Sequence, residues 1–110
     1  MIEENPLLSL FPEAEIPLPG VVSRLIQAGE RQLIFMEFEQ EAIVPPHSHN
    51  AQWGVVLDGE IELTIEGKTK LLKKGDSYYI EKDQVHSAKI SAGYKDLTFF
   101  DQIDRYKIKE

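Results

Sequence analysis

The chain contains no cysteine. Disulfides, thiolate zinc sites and cysteine nucleophiles are thereby excluded, and any metal must be held by nitrogen or oxygen. Basic residues are the minority, 12 Lys and Arg against 19 Asp and Glu in 110 residues, a formal net charge of −7. That balance argues against nucleic acid or an anionic membrane surface as partner, since both are bound through basic patches that release counterions. The densest cationic cluster is Lys68, Lys70, Lys73 and Lys74. It reads as a solvated hairpin edge, because no aromatic residue or glycine-rich cradle accompanies it. No apolar run approaches the roughly 20 residues that cross a bilayer. Met1 to Pro12 shows no charged-then-apolar signal pattern, so a cytoplasmic protein is the expectation. Internal repeats and low-complexity linkers are also lacking, which leaves a single domain with one modest core built from the 42% of residues that are hydrophobic.

What is present begins with proline. Pro6, Pro12, Pro17 and Pro19 fall within the first twenty residues and exclude a long regular helix there. Residues 1–19 therefore read as an extended arm, followed by a barrel domain over 20–110. Leu7, Leu8, Leu10, Phe11 and Ile16 give the arm an apolar set that packs either on a second subunit, making a homodimer, or on its own barrel.

From Gly20 onward, short strands are punctuated by turns, the pattern of an all-β sandwich or barrel. Val21 to Ala28 and Gln32 to Glu39 flank a Gly29-Glu30 turn, with Ile34, Met36 and Phe38 on one face. Glu60 to Glu66 alternates with Ile61, Leu63 and Ile65 inward, and Gly67 turns the chain into Lys68 to Leu72. Ser77 to Ile80, Ser87 to Ile90 and Leu97 to Phe100 follow as strands, and Asp101 to Glu110 has room for a helical turn.

Only three histidines occur. His47 and His49 form His-Ser-His after Pro45-Pro46, and residues two apart on a strand share a face. Two such imidazoles can be adjacent ligands of iron, nickel, copper, zinc or cobalt. The third, His86, follows a Gly75-Asp76 turn, a strand ending at Ile80 and a polar loop from Glu81 to Val85. A strand-loop-strand element of this kind can return His86 across a barrel to the first pair. Three imidazoles on one metal leave positions open for water, oxygen or substrate.

The stretch Pro46 to Glu60, PHSHNAQWGVVLDGE, resembles the first motif of the cupin superfamily, and Gly75 to His86, GDSYYIEKDQVH, resembles the second. The order of elements from Ile34 to Ile90 and the separation of the motifs resemble those of small single-domain cupins of the conserved-barrel type. The resemblance implies an all-β fold, the double-stranded β-helix or jelly-roll barrel, with His47, His49 and His86 as ligands of one divalent transition metal such as Fe, Ni, Zn, Mn or Cu. Gln52 stands where that family usually has a glutamate, as a direct ligand or as a hydrogen-bond partner of metal-bound water. Only two residues separate it from His49, so a turn at Asn50-Ala51 must reset the register for its side chain to join the histidines. The second motif's customary Pro and Gly are replaced by Glu81 and Asp83; Asp tolerates the turn conformations that loop needs.

Met36, Phe38, Ile43, Tyr78 and Ile80 are candidates for a substrate pocket or for ordinary core. Trp53 either walls the pocket or, by alternation with Gln52, faces the exterior. Glu37, Glu39 and Glu41 share one parity and read as a solvated face or a source of a general base. Two functions follow from this set: a metal-dependent enzyme of dioxygenase or isomerase class on a small organic acid or enolisable metabolite, or a barrel that binds or senses a small molecule without turnover.

Overall fold

The computed structural model describes residues 2–110, and of Glu3 the backbone alone. Met1, the first residue of the expected arm, lies outside the described residues. Nine strands are present among them: β1 Val21–Ala28, β2 Arg31–Phe38, β3 Ala42–His47, β4 Gln52–Asp58, β5 Glu60–Ile65, β6 Lys68–Lys73, β7 Ser77–Ile80, β8 His86–Ile90 and β9 Lys95–Phe100. They form two antiparallel sheets, one ordered β1-β2-β9-β4-β7 and the other β3-β8-β5-β6. Face to face, these make the jelly-roll barrel expected from the sequence.

Alternation decides which side chains enter the barrel. Ile34, Met36 and Phe38 of β2, Ile61 and Leu63 of β5, and Phe100 of β9 are all buried in one cluster. A side chain as completely buried as Ile34 contributes about 1.5–3 kcal/mol through the area it removes from water. On the opposite sheet edge, β6 carries Lys68, Lys70 and Lys73 in solvent, a charged edge that discourages strand addition.

The first nineteen residues are less extended than the prolines suggest. Two short 3-10 turns, Ile2–Glu4 and Leu8–Leu10, lie in them. Ile2 is buried, and its backbone N–H donates to the carboxylate of Glu37. Further along, the Ala14 N–H donates to Ser23 Oγ, and the Arg24 guanidinium donates to the Phe11 carbonyl. Leu7 and Leu10 remain 70% and 77% exposed, so the chain's own barrel does not cover them.

The C-terminal segment is not helical. Instead Ile108 forms a bridge with Ala14, and the N–H of Glu15 and of Lys109 donate to the carbonyls of Lys107 and Glu13. Gln32 explains why the tail lies in that place. Its side chain is 2% exposed, it donates to the Tyr106 carbonyl at 2.9 Å and it accepts from the Tyr106 N–H at 3.1 Å. The amide therefore acts as an extra ladder rung that clamps the tail to β2. With the two ends of the chain stitched together, Ile16 and Leu18 from one and Arg105 and Tyr106 from the other reach the barrel mouth.

Two glycines are set by close approach. Gly59, in the turn between β4 and β5, has φ +73°, and a Cβ there would sit 2.7 Å from the Tyr94 Cα. Gly54 is strand interior, and a Cβ would meet the Tyr78 ring and hydroxyl at 2.3–2.6 Å, so Tyr78 lies in the notch that Gly54 leaves. Gly54→Ala is expected to displace Tyr78 and destabilise the fold by about 1–3 kcal/mol, the usual penalty of overpacking. Urea denaturation checks it, and an unchanged midpoint would show that Tyr78 moves freely.

Candidate metal centre

Each histidine is delivered by a different local device. Pro45 and Pro46 have no N–H to give the β3–β8 ladder, and its register shifts between Val44 and His47. After the shift His47 lies opposite His86. β3 ends at His47, so His49 is not on the strand as the two-residue spacing suggests; it lies in the following loop. That loop is held by the Asn50 side-chain amide, which donates to the Asp101 carbonyl, and by the Asp101 N–H, which donates to the Ala51 carbonyl. Asp83 has φ 64°, the left-handed region that Asp tolerates, and its N–H donates to the His49 carbonyl at 2.9 Å. The unconventional loop before His86 is thereby tied to the segment carrying the other two histidines.

The result is one cluster. Ring centroids are 5.3 Å apart for His47 and His49, 4.1 Å for His47 and His86, and 4.8 Å for His49 and His86. One ring nitrogen from each lies within 4.8 Å of the others.

Tautomers follow from the backbone. Nδ1 of His47 meets the Pro45 carbonyl at 2.9 Å, that of His49 the Asn50 carbonyl at 2.7 Å, and that of His86 the Gln84 carbonyl at 2.9 Å. A carbonyl only accepts, so all three Nδ1 atoms carry the proton, which leaves the Nε2 lone pair of each neutral ring free. Nε2 of His49 is buried with no hydrogen-bond partner. Burial lowers the His49 pKa to about 4, helped by the Arg105 charge and opposed by the Asn50 carbonyl. His86 is lowered for the same leading reason. Neutral imidazoles with free Nε2 lone pairs fit a divalent transition metal and do not fit calcium or magnesium, which take oxygen ligands.

His47 and His86 of the cluster line a cavity of about 90 Å³ inside the barrel, and His49 lines the space outside it. Met36, Phe38, Ile80 and Tyr78 line it with His47, His86 and Gln52, and Met36, Phe38 and Ile80 are at the same time part of the buried core cluster. Gln52 begins β4 after a bend at Asn50, which supplies the register reset, and its Nε2 donates to the Tyr78 hydroxyl at 3.2 Å. Trp53, the other expected pocket wall, is corrected: it is 42% exposed on the outer face, because its neighbour Gln52 takes the inward parity. Ile43 is also on the outside, 71% exposed. Glu39 and Glu41 are solvent-exposed, and Glu37 is engaged by Ile2.

Several lining residues escaped the sequence reading. Arg105 lines both this cavity and an outer vestibule of about 550 Å³, as do Ile16, Leu18, Val44, His47 and Tyr106. Its guanidinium lies 4.4 Å from the Tyr106 ring centroid and 5.6 Å from that of Phe100, its Nε is buried without a partner, and it has no ion pair among the described residues. Asp96 of β9 is the one carboxyl lining the inner cavity. Burial pushes its pKa up to about 7, with the neighbouring Tyr94 hydroxyl pulling the other way. The signal for Asp96 was its parity: Tyr94, Asp96, Thr98 and Phe100 alternate inward.

Comparison with known proteins places these features in a family. The cupin-domain family matches residues 34–102, most of the barrel and all three histidines. The chain is 31% identical over 70 residues to the pectin degradation protein KdgF of Dickeya dadantii, a match covering 61% of this chain and 64% of that protein, so less than two thirds of the relative's length is spanned. The structure of KdgF from Halomonas sp. superposes with a TM-score of 0.72 at 22% identity, covering 84% of this chain and 88% of that one. Oxalate decarboxylase from Bacillus subtilis superposes with a TM-score of 0.68 at 21% identity over 84% of this chain and 28% of its own. At those identities the two structures share the fold with this chain. With the family match spanning well over half of its residues, the chain belongs to the cupin-domain family.

Proposed function

We propose that this protein is a metal-dependent enzyme of dioxygenase or isomerase class acting on a small organic acid or enolisable metabolite. One observation carries the reading: three imidazoles with their Nε2 lone pairs free come together at the edge of a cavity that Arg105, a cation with no ion pair among the described residues, also lines. His47, His49 and His86 hold the metal, and Gln52 adds either its carbonyl oxygen as a ligand or a hydrogen bond to a water there. When bound, the metal supplies a Lewis acid that polarises an oxygen of the substrate.

The chain's own residues do the rest. Neutral imidazoles leave the site cationic, and Arg105 adds a further positive charge at its edge, so an anion is the complementary guest. Stacking on Tyr106 holds the guanidinium plane against a second degree of freedom. Ile16 and Leu18 exclude water from the mouth. Tyr78 fixes the Gln52 amide through its hydroxyl. The Dickeya relative's role in pectin degradation supports the same class, because pectin is a polymer of acidic sugars.

Arg105→Gln is expected to weaken kcat/KM or affinity for a carboxylate by about 10- to 150-fold, the value of a hydrogen bond to a charged group. A panel of oxalate, pyruvate and galacturonate, run with and without oxygen on the metal-loaded protein, tests the class. Oxygen consumption assigns a dioxygenase and anaerobic turnover an isomerase. Ligand-dependent thermal stabilisation without product would replace the enzyme with a binding barrel.

We also propose a homodimer. Register aligns Ile26, Leu33, Phe99, Trp53 and Tyr79 in one apolar row across the outer face of the five-stranded sheet, a surface a second copy would cover. Light scattering should give twice the chain mass, and Trp53→Glu should halve it; a wild-type monomer would contradict the dimer.

A further inference from the structure

Arg105 and Tyr106 do not belong to a barrel strand. They sit on a strap, residues 103–109, that follows β9, and the family match ends at residue 102. Nothing in the charge pattern holds Arg105 at the mouth, since it has no ion pair among the described residues and its Nε is buried without a partner. Two rings hold it instead: the guanidinium lies 4.4 Å from the Tyr106 centroid and 5.6 Å from that of Phe100. A cation seated on a ring is placed only as firmly as the ring itself.

The backbone under that ring is fixed by Gln32 of β2. Its side-chain amide donates to the Tyr106 carbonyl at 2.9 Å and to Gln27 Oε1 at 3.0 Å, and its oxygen accepts from the Tyr106 N–H at 3.1 Å. Both amide protons are used, so the side chain is held in one orientation. Gln27 in turn donates to the Ile103 carbonyl at 3.1 Å. Register sets Gln32 opposite Phe100, so the clamp lies beside the ring that Tyr106 meets edge-on at 5.8 Å. Beyond Tyr106 the strap is tied to the N-terminal arm by backbone, Glu15 N–H to the Lys107 carbonyl and Lys109 N–H to the Glu13 carbonyl.

We propose that Gln32 is a positioning residue for the anion site: by holding the Tyr106 backbone it fixes the ring on which Arg105 lies, and so sets the affinity for the carboxylate of the guest. The anion's part in this rests on the function proposed above; the placement of Arg105 does not. Gln32 lines neither the inner cavity nor the vestibule, so its replacement reaches the guest through the strap. Without the clamp the strap stays tethered at Ile103 and at residues 107–109, which keeps the two chain ends joined while the guanidinium is released toward solvent. A misplacement of about 1 Å in a binding clamp is enough to cost about a hundredfold in rate.

Two variants test it. Gln32→Met keeps the length of the side chain and removes its hydrogen bonds, and Gln27→Ala, at an exposed position, loosens the same strap with the core untouched. NMR on the protein supplied with zinc, which is diamagnetic, follows exchange of the Arg105 Nε–H; it should be slow in the wild type and faster in Gln32→Met. Calorimetric titration with oxalate and with pyruvate should show Gln32→Met weakening both by about tenfold and Gln27→Ala acting in the same direction by less. In an Arg105→Gln background, Gln32→Met should cost nothing further. An unchanged Nε–H, or an equal loss of affinity in the Arg105→Gln background, would overturn the role of Gln32. Anions that bind wild type and Gln32→Met equally well overturn it and leave the proposed function standing. Should no anion bind the wild type while Gln32→Met still frees the Nε–H, the proposed function falls and the placement of Arg105 by Gln32 stands. If Gln32→Met does not fold, Gln27→Ala carries the same readings.

Discussion

Asp96→Asn should flatten the pH dependence of stability between about pH 4 and pH 7. The Asp96 carboxyl is raised from 3.8 to about 7 in the folded protein, and burial is the leading cause. The sign follows from proton counting. Between those two values the folded state keeps a proton that the unfolded state has released, so stability is fully present below pH 4. It is lost as pH rises toward 7 and is level above that. Three pH units correspond to about 4 kcal/mol at roughly 1.4 kcal/mol per unit. Tyr78, Tyr94 and Tyr106 surround the carboxyl electrostatically, and all three are themselves pushed upward, so none ionises in this window. Asparagine resembles the protonated acid, and the variant should match the wild type near pH 4 and exceed it by up to about 4 kcal/mol above pH 7. Urea denaturation at pH 4, 5.5 and 7.5 reads the difference directly. Parallel curves for wild type and variant would show that the carboxyl is ionised throughout.

Saturating metal should stabilise the wild type by about 3–4 kcal/mol at free concentrations one hundred to one thousand times its Kd, and His47→Ala with His86→Ala should abolish that gain. Removing two of three imidazoles leaves a single nitrogen, which cannot hold a divalent ion against water. The apo stability of the double variant should fall as well, because His86 is 5% exposed and its truncation leaves a cavity, so the readout is the metal-dependent gain within each protein. Chelator added to the wild type should remove the same gain. A metal-insensitive wild-type melting temperature across iron, nickel, copper, manganese and zinc would contradict a metal centre. The contrast with Asp96→Asn is useful, since one variant changes stability through a proton and the other through an ion.

Much of this was legible in the chain. Strand alternation placed Ile34, Met36, Phe38, Ile61 and Leu63 inside, because a period of two leaves little choice of face once one side is apolar. The histidines were legible as a set because they are the only three and sit inside two motifs in register. What the spacing could not give was the route by which His49 joins the others. The strand ends at His47, and the loop is oriented by hydrogen bonds to Asp101 and Asp83, partners more than thirty residues away in the chain.

Arg105 and Tyr106 were illegible for a related reason. A tail reading DQIDRYKIK has the composition of a solvated end, and the Gln32 side chain, buried at the parity of core residues, draws it over the mouth together with the Gln27 amide and the backbone bonds to residues 13–15. A glutamine in step with Ile34, Met36 and Phe38 was the available clue, since a buried amide requires partners. Asp96 carried a similar clue, being in step with Thr98 and Phe100.

Elemental analysis of the untagged protein, purified without added metal, is the most direct measurement. Near one equivalent of a transition metal per chain is expected, falling to background in the His47→Ala, His86→Ala double variant. Background metal in both proteins, with no uptake when ions are supplied, would contradict the metal centre.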